Sequence, residues 1–299
     1  MYKIFLSAAL CTLISIPVLS QDFLGGMAPK EVQQKKEKSV SQKSASPKVN
    51  LPDKPNRKDA QGRRQGEWAT KYPNGRYRYV ATFKDDKPIG KVRRFYDTGK
   101  LSVLIEYMSQ GVCRVTTYHP DEKVESRGSY KDEKRDGHWQ FYNQHAELIR
   151  ETDYHLGAEH GQSKLYYPDG KLLELSTWVN GVQDGPFFKY FKSGAKEIEA
   201  SYRAGELNGP YCVYGIDGKP IAKGQYAMGV RVGRWSERYP DEGNLSVNII
   251  YNNHGVVQNR AEVDSVETLR IDYMQRQMGK YLNDPANYMN NPQDYVPFQ

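Results

Sequence analysis

A unit of 24 residues recurs eight times through the middle of the chain, and a fixed period of that length leaves few folds open. Seven copies open on glycine: Gly66, Gly90, Gly137, Gly161, Gly185, Gly209 and Gly233. Arg114 takes that place in a degenerate third copy. Successive openers lie 24, 24, 23, 24, 24, 24 and 24 residues apart. Seventeen residues after the opener stands an aromatic: Phe83, Tyr107, Tyr154, Trp178, Tyr202 and Tyr226, with Tyr130 and Tyr251 one residue off that spacing. Such a period implies stacked units, each contacting its neighbours, and arrays of this kind bind or scaffold.

Within a unit the pattern is that of a β-hairpin. In the fifth copy an aromatic-containing run reaches Pro168-Asp169-Gly170, a turn signal in which glycine takes positive φ without steric cost. The second run then alternates. In copy two Val103, Ile105 and Tyr107 face one way and Ser102, Leu104 and Glu106 the other. In copy six Ile198, Ala200 and Tyr202 alternate with Glu197, Glu199 and Ser201. A second glycine, at Gly157, Gly181, Gly205 and Gly229, marks the turn into the next hairpin. One hairpin is barely stable in water, so the units must pair edge to edge. The expected fold is all-β: an elongated antiparallel meander of about eight hairpin repeats, or about sixteen strands and roughly 75 Å at about 4.8 Å per strand. The aromatic series supplies the core on one face. Copy three lacks both the opener and the turn glycine, which suggests a kink over residues 110–125.

The flanks divide the rest. Residues 1–20 carry Lys3 and an apolar run from Ile4 to Leu19, ending in Val18-Leu19-Ser20. They read as a signal peptide removed before Gln21 and too short for a comfortable membrane span, so the protein is expected to be exported to the periplasm or outer envelope. Cys11 sits behind Leu10 and not behind a small residue, which argues against a lipoprotein. Residues 21–61 read as a disordered, Lys-rich tether and residues 62–258 as the array. Residues 259–285 read as an amphipathic helix capping the last hairpin. Asp264 and Glu267 form its capping box, Val266, Leu269, Tyr273, Met274, Met278 and Tyr281 recur at helical spacing, and Asn283-Asp284-Pro285 stops it. A helix offered to a partner is the alternative. Residues 286–299, with Tyr288, Tyr295 and Phe298, read as an extended tail that docks elsewhere.

Charge excludes one class of partner. The formal net charge is +7, but residues 21–65 hold 11 Lys and Arg against 5 Asp and Glu, whereas residues 66–299 hold 31 of each. The folded part is therefore neutral, which disfavours a nucleic-acid face. Beyond the leader only Cys113 and Cys212 remain. They lie four units apart, roughly 38 Å at two strands per unit, against about 7 Å tolerated by a disulfide, so both are expected as free thiols.

No enzyme signature and no cofactor site emerge. His138, His145, His155 and His160 crowd into copies four and five, where His138 and His160 lie on neighbouring units. Asp132, Glu133 and Asp136 cluster at the same turns. Either set suits a metal only if its donors converge, and solvated surface side chains are the preferred reading of both. The candidate partner-binding residues are the rings two positions after the opener: Trp68, Trp139, Phe187, Tyr211 and Trp235. Projecting outward, they form a row of flat apolar rings flanked by Lys and Arg, suited to peptides or sugars. Projecting inward, they are core.

From Gly185 through Pro186, Phe187, Phe188, Lys189, Tyr190, Phe191, Lys192 and Ser193 to Gly194, and from Tyr166 to Lys171, the units resemble the bacterial MORN-repeat variant family, which includes YwqK-like antitoxins. The resemblance covers about residues 62–254. It implies a hairpin array for protein or membrane-surface contacts, without catalytic residues. The chain thus reads as an exported, non-enzymatic scaffold for a protein partner in the cell envelope. Binding of envelope carbohydrate or anionic lipid head groups is the first rival. An enzyme whose site joins distant repeats, and a cytoplasmic antitoxin that keeps residues 1–20, are the others.

Overall fold

The computed structural model describes residues 55–282 except 109, 110 and 243, with side chains described to residue 277. The leader, most of the tether and the tail lie outside the described residues. Strand β1 (Arg57–Lys58) precedes the repeats. The hairpins follow in order: β2 (Arg64–Lys71) with β3 (Tyr77–Lys84), β4 (Lys87–Phe95) with β5 (Leu101–Tyr107), and β6 (Val112–Tyr118) with β7 (Val124–Lys131). Next come β8 (Lys134–Tyr142) with β9 (Leu148–His155), β10 (Ala158–Tyr166) with β11 (Leu172–Val179), and β12 (Val182–Tyr190) with β13 (Lys196–Arg203). The seventh first strand is split into β14 (Glu206–Leu207) and β15 (Gly209–Tyr214), which pairs with β16 (Pro220–Ala227). The eighth hairpin is β17 (Val230–Tyr239) with β18 (Leu245–Tyr251), and helix α1 (Arg260–Leu282) ends the fold. With β14 and β15 both paired to β13 as one interrupted strand, each strand pairs antiparallel with its sequence neighbours, giving one 18-stranded sheet, the expected meander.

Two turn types build it. Inside a repeat the amide of the residue before the turn donates to the carbonyl four residues on, and the turn glycine donates back, as at Tyr72–Arg76 and Tyr167–Lys171. The turn glycine is left-handed (φ 83° at Gly75, 81° at Gly170). Between repeats both central residues have positive φ: Asp85-Asp86, Asp132-Glu133, Leu156-Gly157, Asn180-Gly181, Ala204-Gly205 and Met228-Gly229. That primed turn matches the right-handed twist of the flanking strands. The Gly157 amide then donates to the Arg135 carbonyl at 2.8 Å, and Gly181 does the same to Glu159, so each turn is tied to the preceding repeat.

The opener glycine makes a β-bulge. Gly66, Gly90, Gly137, Gly161, Gly185, Gly209 and Gly233 all have positive φ, and from Gly90 onward the ladder into each opener's strand shifts register, as between Val80 and Thr82 or Arg127 and Ser129. Arg114 has no such φ, and the β5–β6 ladder runs without a shift from Val103↔Thr117 to Tyr107↔Cys113. The 23-residue spacing after it reflects this missing bulge. The expected kink is corrected accordingly: β6 and β7 pair along their length, and Glu122 takes the turn glycine's place at φ 71°.

Three further expectations change. Residues 55–61, assigned to the tether, are placed against the array, with Arg57 opposite Gln65. The helix starts one turn before Asp264: Asn259 precedes it, and its side-chain amide donates to Glu262 at 2.8 Å, whereas Asp264 pairs with Arg260 and Glu267 with Arg270. Val263 and Val266 pack on the last hairpin, while Leu269 and Met274 stay exposed, so α1 docks only through its first turns. Finally, the sheet has core on both faces. Ala81, Phe83 and Val92 gather Trp68, Tyr79, Ile105 and Tyr107, while Val80, Phe95 and Leu101 gather Ala69, Tyr77, Leu104 and Tyr118. Cys113 and Cys212 are free thiols.

Candidate functional site

The expected ring row is largely core. Trp139 is 1% exposed and Trp235 0%, while Trp68, Phe187 and Tyr211 are half-buried. Register explains it. Trp68 stands opposite Ala81, Trp139 opposite Thr152 and Trp235 opposite Ile249, so these rings share a face with the aromatic that ends each repeat. The two series meet edge to face: Trp68–Phe83 at 6.1 Å, Trp139–Tyr154 at 6.3 Å, Phe187–Tyr202 at 5.7 Å and Tyr211–Tyr226 at 5.2 Å. An arginine closes each tryptophan's repeat from outside. Arg135 lies 4.7 Å from the Trp139 ring centroid and Arg231 4.1 Å from that of Trp235; Arg64 lies 4.0 Å from Phe83. The signal is plain in the sequence as Arg-x-Gly-x-Trp at Arg64–Trp68, Arg135–Trp139 and Arg231–Trp235. An outward row of five rings therefore does not form.

The opposite face presents what a partner could reach. Gln140, Glu151, Lys164, Leu175, Phe188, Glu199, Cys212 and Lys223 stand opposite one another from strand to strand across β8–β16. Beside them Tyr142, Tyr166, Tyr190 and Tyr214 recur 24 residues apart, all half-buried. This tyrosine column was legible as a position five after the opener in copies four to seven.

Its polar partners are fixed. Glu151 accepts hydrogen bonds from Tyr166 Oη at 2.7 Å and Gln140 Nε2 at 2.6 Å, and His138 Nε2 lies 3.6 Å away. Gln140 Oε1 in turn accepts from Arg127 Nε at 2.6 Å and Tyr142 Oη at 3.1 Å. Burial pushes the Glu151 carboxyl up, but the bonds from Gln140 and Tyr166 and the nearby His138 outweigh it and hold the group below its usual range. Burial and the Glu151 bond together push the Tyr166 phenol well up. Two repeats on, Glu199 accepts from Tyr214 Oη at 3.2 Å and Lys196 Nζ at 2.9 Å. Each Glu–Tyr pair lines a shallow depression, one of about 540 Å³ with Lys164 and Pro168, the other of about 530 Å³ with Cys212 and Lys223. Between them Phe188 and Tyr190 pack at 6.4 Å. The two depressions are four strands, or about 19 Å, apart.

The histidines are held individually. His138 Nδ1 pairs with Asp153 at 2.8 Å and His155 Nδ1 with Asp136 at 3.2 Å, and the rings in contact are His155 and His160, at 5.9 Å. Among the described residues no group of three or more His, Cys, Asp or Glu is placed to hold a metal ion, and no helix is long and apolar enough to cross a membrane.

Comparison with known proteins bears on the repeat. Residues 88–108 and 159–180, in the second and fifth hairpins, match the MORN repeat variant, so the chain carries that repeat at these two places. No curated protein matches the chain. Among solved structures, crystal structures of TarM align over 38% of this chain and 21% of theirs. One is a point mutant of the S. aureus protein in complex with fondaparinux, alpha-GlcNAc-glycerol and UDP, at 18% identity and a TM-score of 0.27; the other is at 20% identity and 0.26. The aligned region thus spans about a fifth of those proteins.

Proposed function

We propose that the chain is an exported, non-enzymatic scaffold that holds a protein partner of the cell envelope against the tyrosine column of repeats four to seven. MORN repeats generally bind proteins or lipids, and this sheet has the area for it. The observation that carries the reading is the division of aromatic residues between the faces. Trp139 and Trp235 are spent on core, whereas Tyr142, Tyr166, Tyr190 and Tyr214 stand half-exposed in register, the hydroxyls of Tyr142, Tyr166 and Tyr214 bonded to an amide or a carboxylate. Rigid amphipathic rings of this kind form contact area at low entropic cost, and Tyr is enriched at hot spots. Export rests on the apolar run from Ile4 to Leu19.

The test is capture with crosslinking from the native cells, using tagged full-length protein, with N-terminal sequencing of the bait. The expected result is one dominant envelope protein, a bait starting near Gln21, and loss of that partner with Tyr166→Ala combined with Tyr190→Ala. Co-purifying glycan or lipid without protein would move the assignment to an envelope-surface binder. A bait retaining Met1 with a cytoplasmic partner would overturn export.

A further inference from the structure

The second depression of the tyrosine face differs from the first in charge. Its wall carries Lys223 and Arg234, and among the described residues neither side chain forms an ion pair or hydrogen bond. The one carboxylate at this depression, Glu199, is already taken by Lys196 and Tyr214. Pro210, Pro220 and Tyr214 make the rest of the wall, and buried Cys212 forms the floor. The site suits a short extended segment that combines carboxylate with aromatic and proline side chains.

The chain contains such a segment directly after α1. Residues 283–299 hold Asp284 and Asp294, Tyr288, Tyr295 and Phe298, and prolines 285, 292 and 297, with no Lys or Arg. The course of α1 sets where that segment starts. Asn259, just before the helix, bonds to β18 at Asn248 and Ile250, and Arg270 reaches the other end of that strand, where it pairs with Glu242 and lies over Tyr239. The helix therefore runs along β18 on the tryptophan face, opposite the depression, toward the rim that carries the turns inside the repeats. Its remaining twelve residues extend about 18 Å past Arg270. Tyr214 and Pro220 flank one turn on that rim, two strands from the Tyr239 turn. Returning about 18 Å, crossing three strand spacings, about 14 Å, and rounding the rim to the tyrosine face, about 10 Å more, is within the roughly 56 Å that seventeen extended residues span.

We propose that residues 283–299 fold back in cis over this rim and occupy the depression, with an Asp carboxylate on Lys223 and Arg234 and an aromatic ring against Tyr214 and the prolines. The segment then acts as an internal occupant of one end of the tyrosine face and competes with any external partner there. This takes the tyrosine face as a contact surface, as proposed above, but its test involves no partner, so failure here leaves that reading standing.

The experiment is zero-length carbodiimide crosslinking of the purified, dilute full-length chain, read by peptide mass spectrometry on an equal mixture of isotopically light and heavy protein. The expected product joins Asp284 or Asp294 to Lys223 in preference to other lysines, with like-isotope pairs only. Arg234→Glu should cut its yield about fivefold, the equivalent of roughly 1 kcal/mol of charge pairing, and Tyr166→Ala should leave it unchanged. Absence of the product, or tail links spread over many lysines, would overturn the proposal. So would mixed-isotope pairs, which would name a second copy as the occupant.

Discussion

The side chain of Asn56 lies against the backbone of Ala69 as a strand would: Nδ2 donates to the Ala69 carbonyl at 3.0 Å and Oδ1 accepts from its amide at 2.8 Å. Asn56 itself sits at φ 67°, a conformation asparagine tolerates better than most residues. At the other end of the sheet Asn259 does the same to β18, accepting from the Ile250 amide at 2.8 Å and donating to the Asn248 carbonyl at 2.7 Å. One carboxamide at each end thus substitutes for the next strand. Open sheet edges recruit other chains, and these two contacts blunt both.

Replacing both asparagines by alanine should free those backbone groups. The expected outcome is concentration-dependent end-to-end association of a folded chain, seen by light scattering. Loss of each hydrogen bond should also cost about 1 kcal/mol. A double variant that stays monomeric with unchanged unfolding would show that the helix and β1 guard the edges unaided.

Gly128 and Gly224 are not turn residues, and their requirement is different. Each lies directly beneath an indole, that of Trp139 or Trp235, whose Nε1 donates to the carbonyl of the next residue, Ser129 at 3.0 Å or Gln225 at 3.1 Å. A Cβ at either glycine would overlap the ring. Gly128→Ala and Gly224→Ala should each destabilise by about 1–3 kcal/mol, with a red shift of tryptophan emission as the indole is pushed toward water. Unchanged emission and urea midpoint would mean that the ring has room to move.

Much of this fold was readable because its determinants are local. Turn glycines, the bulge glycine and period-two alternation lie within a few residues of one another, and a 24-residue spacing repeats them. The facing of the tryptophans was less accessible. Whether Trp68 shares a face with Phe83 depends on hairpin register, which the extra residue Arg78, unpaired between Tyr77 and Tyr79, resets. With that bulge placed, Trp68 falls opposite Ala81, and the Arg-x-Gly-x-Trp spacing then marks a capped core ring. The tyrosine column could have been found by aligning the copies, since Tyr142, Tyr166, Tyr190 and Tyr214 occupy one position. The end caps could not, because Asn56 and Asn259 act on strands fixed only by the assembled sheet. The capping box was misplaced for the same reason: Asn259, not Asp264, precedes the helix, and it is held by β18 as well as by Glu262.

The turn of copy four offers a local test. Ala146 occupies the place where other repeats have glycine, at φ 63°, between Asn143 and Glu147. A left-handed conformation costs a Cβ-bearing residue about 1–2 kcal/mol, more than the backbone entropy glycine adds to the unfolded chain. Ala146→Gly should therefore raise the urea midpoint slightly, while Gly170→Ala, the reverse change one repeat on, should lower it. The opposite order would show that the neighbouring side chains and not φ set the stability of this turn.

Glu174 makes stability depend on pH in a direction opposite to most carboxylates. It stands opposite Lys189, and burial pushes its carboxyl above the ordinary value of 4.5, against the Ser176 hydrogen bond and the charges of Arg150 and Lys189, which pull it down. A folded-state value above the unfolded one means that the folded protein holds this proton more tightly. The group therefore costs stability once pH exceeds its folded value, and the cost disappears as pH falls below the unfolded one. Glu174→Gln removes the charge and keeps the shape. The variant should melt a few degrees above the parent at pH 7, and the gap should close as pH is lowered through about 4.5. A lower melting temperature at pH 7 would mean instead that attraction to Arg150 and Lys189 exceeds the cost of burying the carboxylate.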